Sequence, residues 1–207
     1  MKTQLSKKHI LMLALVALLA LCAVAATLAF NVQRVQSNNV ISFGSVKICV
    51  SEYELDANGN EVAFNPQTTT QAQSGTISRI VRVQNVGQQP AYVRVRLRMV
   101  AVSGNGEERD AQSNVAFNVN CDGDSAPWVC GNDGWYYYYG NSNGVLNAGE
   151  STRNLLDSLR FTGDFYQAAA DSHFQLKVDA QAVQAKNQQA GDTPADVLDV
   201  QGWPEGE

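Results

Sequence analysis

Asn85-Val86-Gly87-Gln88-Gln89-Pro90, a polar turn, runs into Ala91-Tyr92-Val93-Arg94-Val95-Arg96-Leu97-Arg98-Met99, and this stretch decides the fold. Val93, Val95, Leu97 and Met99 alternate with Tyr92, Arg94, Arg96 and Arg98, so an extended chain here has one apolar and one polar side. A strand with one dry and one wet face belongs to an antiparallel sheet.

The same period recurs in both directions. Val46, Ile48 and Val50 alternate with Lys47 and Cys49, whereas Ile41 and Phe43 have the opposite parity, which a bulge at Gly44-Ser45 would explain. Asp56-Ala57-Asn58-Gly59-Asn60 predicts a hairpin turn, because Asn-Gly takes positive φ at low cost, and the return strand includes Glu61 to Phe64. Asn65 to Gly75 has no apolar period and reads as a surface loop before a strand from Thr76 to Gln84. Further turns are expected at Ser103 to Glu108 and Asn141 to Gly144. Ser151 to Ser158 admits a helical turn ahead of a strand from Leu159 to Thr162, the pattern being too short to decide. His173 to Ala182 is the last clear strand, with Phe174, Leu176, Val178, Ala180 and Ala182 on one side.

Many short strands separated by turn signals predict an all-β fold, an antiparallel β-sandwich of jelly-roll or Ig-like form. After Ala185 the chain is rich in Gln and Asp, with Pro194, Pro204 and an isolated Trp203. This predicts a short helix or tether over Pro194 to Asp199 and a frayed end. The expected organisation is a signal helix and peptide over 1–29, a sandwich domain over 30–186 and a C-terminal tail over 187–207.

Ile10 to Ala29 is apolar apart from Thr27 and follows Lys2, Lys7 and Lys8 with no acidic residue before it, the pattern of an export signal. The run is also long enough to span a bilayer as an uncleaved anchor. Thr27-Leu28-Ala29 places small residues at −3 and −1, which favours cleavage between Ala29 and Phe30. The chain is expected to be secreted or at the cell surface, and membrane-anchored only if the leader stays on. Leu19-Ala20-Leu21-Cys22 is a poor lipobox because Leu21 is not small. The whole chain carries a net charge of −5, and losing the leader lysines makes it more acidic, which argues against nucleic acid as a partner. Cys121 and Cys130 enclose a turn-rich loop, and in an exported protein they are expected to form a disulfide, with Cys49 left free or paired between chains.

Asp133-Gly134-Trp135-Tyr136-Tyr137-Tyr138-Tyr139, Leu146-Asn147-Ala148-Gly149-Glu150-Ser151-Thr152 and Asp179-Ala180-Gln181-Ala182-Val183-Gln184-Ala185 follow the Ala91 to Met99 strand in that order. Together with the leader, this order resembles the SipW-cognate, or alternate signal-mediated, exported proteins of Gram-positive bacteria, relatives of the TasA and camelysin group. The resemblance runs from the leader to about Lys186. It implies a secreted β-sandwich, often a biofilm matrix or fibre component, cut by a dedicated signal peptidase of the SipW type. It does not fix a molecular activity.

Candidate chemistry is sparse. Gly140-Asn141-Ser142-Asn143-Gly144 fits G-x-S-x-G, but a nucleophile elbow needs a strand, a strained turn and a helix, and this segment reads as a hairpin tip. A metalloprotease of the kind proposed for camelysin relatives needs paired histidines, whereas this chain has two in all, His9 in the leader and His173 opening a strand. Asn118, Asn120, Asp122 and Asp124 have calcium-loop spacing, yet Ser125 stands where an EF-hand wants glycine. Arg94, Arg96 and Arg98 form a cationic row, read as a solvated face paired to acids or as a grip on anionic polymer. In the aromatic run Trp135, Tyr137 and Tyr139 share one face and Tyr136 and Tyr138 the other. No catalytic residue, cofactor or metal is expected. The sequence points to a non-enzymatic structural protein of the cell surface or extracellular matrix, self-associating through strand pairing by Phe30 to Ile41. The alternative is a carbohydrate or cell-wall-polymer binding module using Trp128, the Tyr136/Tyr138 face and the arginine row.

Overall fold

The computed structural model describes residues 41–43, 46–65, 75–123, 125–140, 143–162, 172–186, 188 and 193–204. The leader, its cleavage site at Ala29 and Phe30, the segment 30–40, Gly44-Ser45, Asp124 and Asn141-Ser142 lie outside the described residues, as does the His173 side chain.

Among the described residues the strands are β1 (Ile41–Phe43), β2 (Val46–Leu55), β3 (Glu61–Ala63), β4 (Thr76–Asn85), β5 (Ala91–Ser103), β6 (Glu108–Asp110), β7 (Val115–Val119), β8 (Trp128–Cys130), β9 (Tyr136–Tyr138), β10 (Leu156–Phe161) and β11 (Ser172–Gln184). They form two antiparallel sheets, β1-β2-β4-β10-β7 with β3 beside β2, and β11-β5-β9-β8 with β6 beside β5. The fold is the expected all-β sandwich.

The alternation in β5 works as read. Val93, Val95, Leu97 and Met99 point inward and are 6% exposed or less, and they pair across the strand register with Ala182, Ala180, Val178 and Leu176 of β11. Val46, Ile48 and Val50 of β2, Val81 and Val83 of β4, and Leu156 and Leu159 of β10 close the core from the facing sheet. Each such side chain contributes about 1.5–3 kcal/mol relative to exposure, so this interior dominates stability.

Three local readings change. Phe43 pairs with Val46 and Ile41 with Ile48, so the phase change after Phe43 marks a reversal of direction rather than a bulge within one strand. The bulge lies instead between Leu156 and Ser158 of β10, which lets Leu156 and Leu159 both face inward. That break in the alternation is why Ser151 to Ser158 resembled a helical turn. Finally, the expected short helix is present as a 3-10 helix over Pro194–Asp199 with a Thr193/Asp196 capping box, and it is docked rather than a loose tether, Val197 and Val200 being buried, while residues 205–207, where fraying was expected, lie outside the described residues.

The turn that opens β5 is tied down by a buried polar group. Asn85 is fully buried, and its Nδ2 donates to the Gln89 carbonyl at 2.9 Å and the Leu146 carbonyl at 3.0 Å while its Oδ1 accepts from Gly87 N–H at 3.0 Å. Thr152, also buried, accepts from Val83 N–H at 2.9 Å. Leu146 to Thr152 thereby stitches the ends of β4 and β5, with the buried Asn85 and Thr152 side chains both hydrogen-bonded.

Candidate functional site

The pairing of Tyr136 with Val95 and of Tyr137 with Arg94 sends alternate residues of the aromatic ribbon to opposite faces of the second sheet. Tyr138 goes inward, where it meets Trp128 edge-on at a centroid distance of 5.1 Å. Trp128 is 1% exposed and its Nε1 donates to the Arg153 carbonyl at 3.1 Å. Tyr136 packs, half-buried, on the same core. Burial raises the hydroxyl pKa of both tyrosines. Trp128, Tyr136 and Tyr138 are therefore interior packing, on the other side of the sheet from Arg94, Arg96 and Arg98. The structure does not bring the two halves of the sequence-predicted ligand face together.

The outer face has its own occupants. Arg94 donates through Nε and Nη2 to Gln181 Oε1 at 2.9 and 2.7 Å and through Nη1 to the Tyr137 hydroxyl at 3.1 Å. Its guanidinium lies 4.3 Å from the Trp135 ring centroid and 4.7 Å from that of Trp203. Asp133 stands 3.7 Å from Arg94 and accepts from the Tyr137 hydroxyl at 2.6 Å. Partial burial opposes ionisation of Asp133, but hydrogen bonds from Tyr137 and from backbone N–H groups, with the Arg94 charge, hold its pKa below the usual carboxylate value. Arg96 and Arg98 both reach Asp179, at 3.4 and 3.0 Å. Arg96 and Arg98 thus share an acid of the neighbouring strand β11, as one of the two sequence readings expects, whereas Arg94 is covered rather than solvated and its acid stands in the turn between β8 and β9.

Trp203 completes this face. It meets Tyr137 edge-on at 5.7 Å and its Nε1 donates to the Val200 carbonyl at 2.8 Å. Val197 packs with Trp135 and Tyr137, and Val200 with Tyr92 and Val183. Gln188 and Gln201 exchange two hydrogen bonds, at 2.8 and 3.2 Å, which clip the segment's two ends together. Sequence reasoning missed this cover because Val197, Val200 and Trp203, three apart as on one side of a 3-10 turn, make too short a pattern to say what they pack against. The aromatic ribbon's second face, which needed an apolar partner, was the available signal.

Cys121 and Cys130 lie with Sγ atoms 2.9 Å apart. Both are free thiols in this structure, and since Cys121 follows β7 in the first sheet and Cys130 ends β8 in the second, a bond between them would join the two layers rather than only close a loop. Burial, then the neighbouring Cys130, pushes the Cys121 thiol up to about 12. Cys49 sits on β2, half-buried, facing Gln84 of β4.

A second charge pair is inside the sandwich. Glu52 and Arg79 approach to 3.3 Å with side chains 16% and 10% exposed. The contact is close enough for an ion pair but not aligned as a hydrogen bond, so Glu52 Oε2 and Arg79 Nε have no hydrogen-bond partner among the described residues. Burial raises the Glu52 pKa against the lowering effect of Arg79. The Arg79 guanidinium lies 3.0 Å over the Phe64 ring.

The other candidates disperse. Asn120 donates to Asp157 at 2.8 Å, Asn118 lies on the outer side of β7, and no cluster of three or more His, Cys, Asp or Glu side chains suited to a metal occurs among the described residues. Gly140 and Gly144 frame a turn, with Gly144 N–H donating to the Tyr139 carbonyl at 2.7 Å, and among the described residues the next element after it is the strand β10, not the helix an elbow needs. None of the family models, curated proteins or solved structures compared with this chain matches it.

Proposed function

We propose that this protein is an exported, non-enzymatic structural component of the cell surface or extracellular matrix that self-associates by strand pairing. The observation that carries this reading is the position of β1. It pairs with β2, yet it runs close to β11, a thirteen-residue strand that closes one end of the second sheet's order. β1 thus brings the chain into the sandwich beside β11. A strand delivered there can be taken up through main-chain hydrogen bonds, with alternate side chains filling pockets. Donation from each molecule to the next is head-to-tail and does not close, which produces filaments. The acidic balance of the chain argues against a nucleic-acid partner. Export through the leader, followed by cleavage before Phe30, is the step that frees residues 30–40 for that pairing.

Light scattering on the secreted protein tests the reading. Particle size is expected to rise with concentration, and deletion of Phe30 to Asn39 to abolish the rise while leaving the circular dichroism of the sandwich intact. A mature protein that stays monomeric at high concentration overturns it.

A further inference from the structure

A recess of about 380 Å³ opens beside the turn from Asn143 to Glu150, lined chiefly by Tyr138, Tyr139, Gly140, Asn143, Asn147 and Glu150, with none of the row Arg94, Arg96 and Arg98 in its lining. Its size falls at the small end of ligand sites, roughly 300–1,000 Å³. Its walls are fixed by the fold. Gly140 has a φ of 68° and a Cβ there would come within 3.2 Å of the Tyr138 ring, so glycine keeps the floor open. Gly144, at a φ of 75°, leaves no room for a Cβ, which would fall 2.6 Å from Val197 of the C-terminal segment. That segment therefore backs the turn. At the far end Leu146 exchanges two backbone hydrogen bonds with Ala91, and Gly149 N–H donates to the Asn85 carbonyl at 2.8 Å.

The polar groups on this frame are partly spent. Glu150 Oε2 accepts from the N–H and Nδ2 of Asn147 at 2.9 and 3.1 Å, and Asn143 Oδ1 accepts from Val145 N–H at 3.2 Å. These bonds orient the side chains. They leave Glu150 Oε1, Asn147 Oδ1 and Asn143 Nδ2 with no hydrogen-bond partner among the described residues. Two acceptors and a donor thus stand on one rim, with the half-buried Tyr139 in the same lining. Glu150 is the single acid of the lining, too little for a divalent cation, which takes six or more oxygen ligands or several carboxylates. No Lys or Arg lines the recess to attract an anion, and Arg153 beside it donates to the Gly140 carbonyl at 3.1 Å. Vicinal hydroxyls that both donate and accept, on a ring with an apolar edge, fit this arrangement.

We propose that this recess binds one neutral hexose unit, with Asn143, Asn147 and Glu150 dividing its hydroxyls and Tyr139 packing against its apolar edge. The site stands independently of assembly, which is read by light scattering and not by sugar binding. Its openness to solvent sets the affinity on the order of millimolar, as for a small polar ligand with few desolvated contacts.

The test is a titration of the mature protein, followed by NMR, with glucose, galactose, mannose and N-acetylglucosamine, each also as its methyl glycoside. The expected result is a saturable shift of the Asn143 and Asn147 side-chain amides with at least one sugar. Retained binding of the methyl glycoside assigns the site to a terminal unit of a polymer, and its loss assigns it to the free sugar. Asn143→Ala and Glu150→Gln are each expected to weaken binding about tenfold, the effect of losing one hydrogen bond to a bound polar group. Arg98→Ala is expected to leave it unchanged. The inference is overturned if none of the sugars gives a saturable shift at these amides, or if saturable binding survives both substitutions at full strength. The mapping on unaltered protein decides the matter even where a variant folds poorly.

Discussion

The two faces of the second sheet carry the same kinds of side chain and use them differently. Inside, Trp128 and Tyr138 pack in a continuous apolar core, while across from them Glu52 and Arg79 of the first sheet share the sandwich interior without an aligned hydrogen bond. Outside, Trp135, Tyr137 and Trp203 surround Arg94, which makes hydrogen bonds to Gln181 and Tyr137. An arginine beneath aromatic rings is well placed where its donors are matched, and costly where burial outruns pairing. The difference identifies Arg94 as the organiser of the C-terminal cover and Arg79 as a strained interior charge.

The largest test of this contrast compares two tryptophans. Trp128→Ala is expected to lose about 3–5 kcal/mol in chemical denaturation, as for large aromatics removed from a core. Trp203→Ala, on a half-buried ring, should cost only about 1–2 kcal/mol, reflecting partial burial and lost contact with Arg94. Equal losses would erase the distinction between core and cover. Next, Arg79→Met alone is expected to cost about 3–5 kcal/mol by stranding Glu52, whereas Glu52→Leu with Arg79→Met should be neutral or stabilising. A double variant worse than the single one would show that the interior pair is well matched after all.

Much of this fold is legible in the residues themselves. Val93 to Met99 and Leu176 to Ala182 have an uninterrupted period of two, and Asp56 to Asn60 has the turn chemistry of its hairpin, Asn58 and Asn60 N–H both donating to Asp56 Oδ1. The β10 bulge was hidden because it breaks the period it belongs to. The ligand face was misplaced for a different reason: periodicity assigns residues to faces, but it does not say which face is covered. Trp128 lies outside the aromatic run, and only its pairing with Tyr138 puts it inside. The recess at Tyr139 to Glu150 had no sequence signature, since it depends on two turns and the C-terminal segment meeting.

Oxidation of Cys121 and Cys130 should add a smaller increment. The enclosed loop is shorter than the fifteen residues for which about 3 kcal/mol is estimated, so the gain on oxidation should fall below that. Because a bond between them would join the two sheets, reducing it should also loosen β7 and β8 together in hydrogen exchange. Mass spectrometry of unreduced peptides checks the pairing, and Cys49 joined to either cysteine would contradict it.

Acid titration separates the two carboxylates by sign. The lowered pKa of Asp133 gives stability that is present above the ordinary carboxylate pKa and is lost as pH falls through its lower folded value. The raised pKa of Glu52 does the reverse: its contribution is fully present below the ordinary value and is lost as pH rises through its folded value. Asp133→Asn should therefore flatten the acid end of the stability profile, and Glu52→Gln the side above the ordinary carboxylate range. Identical profiles for the two variants would contradict the assignment.

The claim that the outer face is closed by the chain's own C-terminal segment is tested most directly by a double-mutant cycle of Arg94→Ala and Trp203→Ala, read as unfolding free energies. A contact across 4.7 Å between guanidinium and indole predicts a coupling of about 0.5–2 kcal/mol. Strict additivity of the two substitutions would mean that Trp203 does not cover Arg94 in solution and that the arginine face is open.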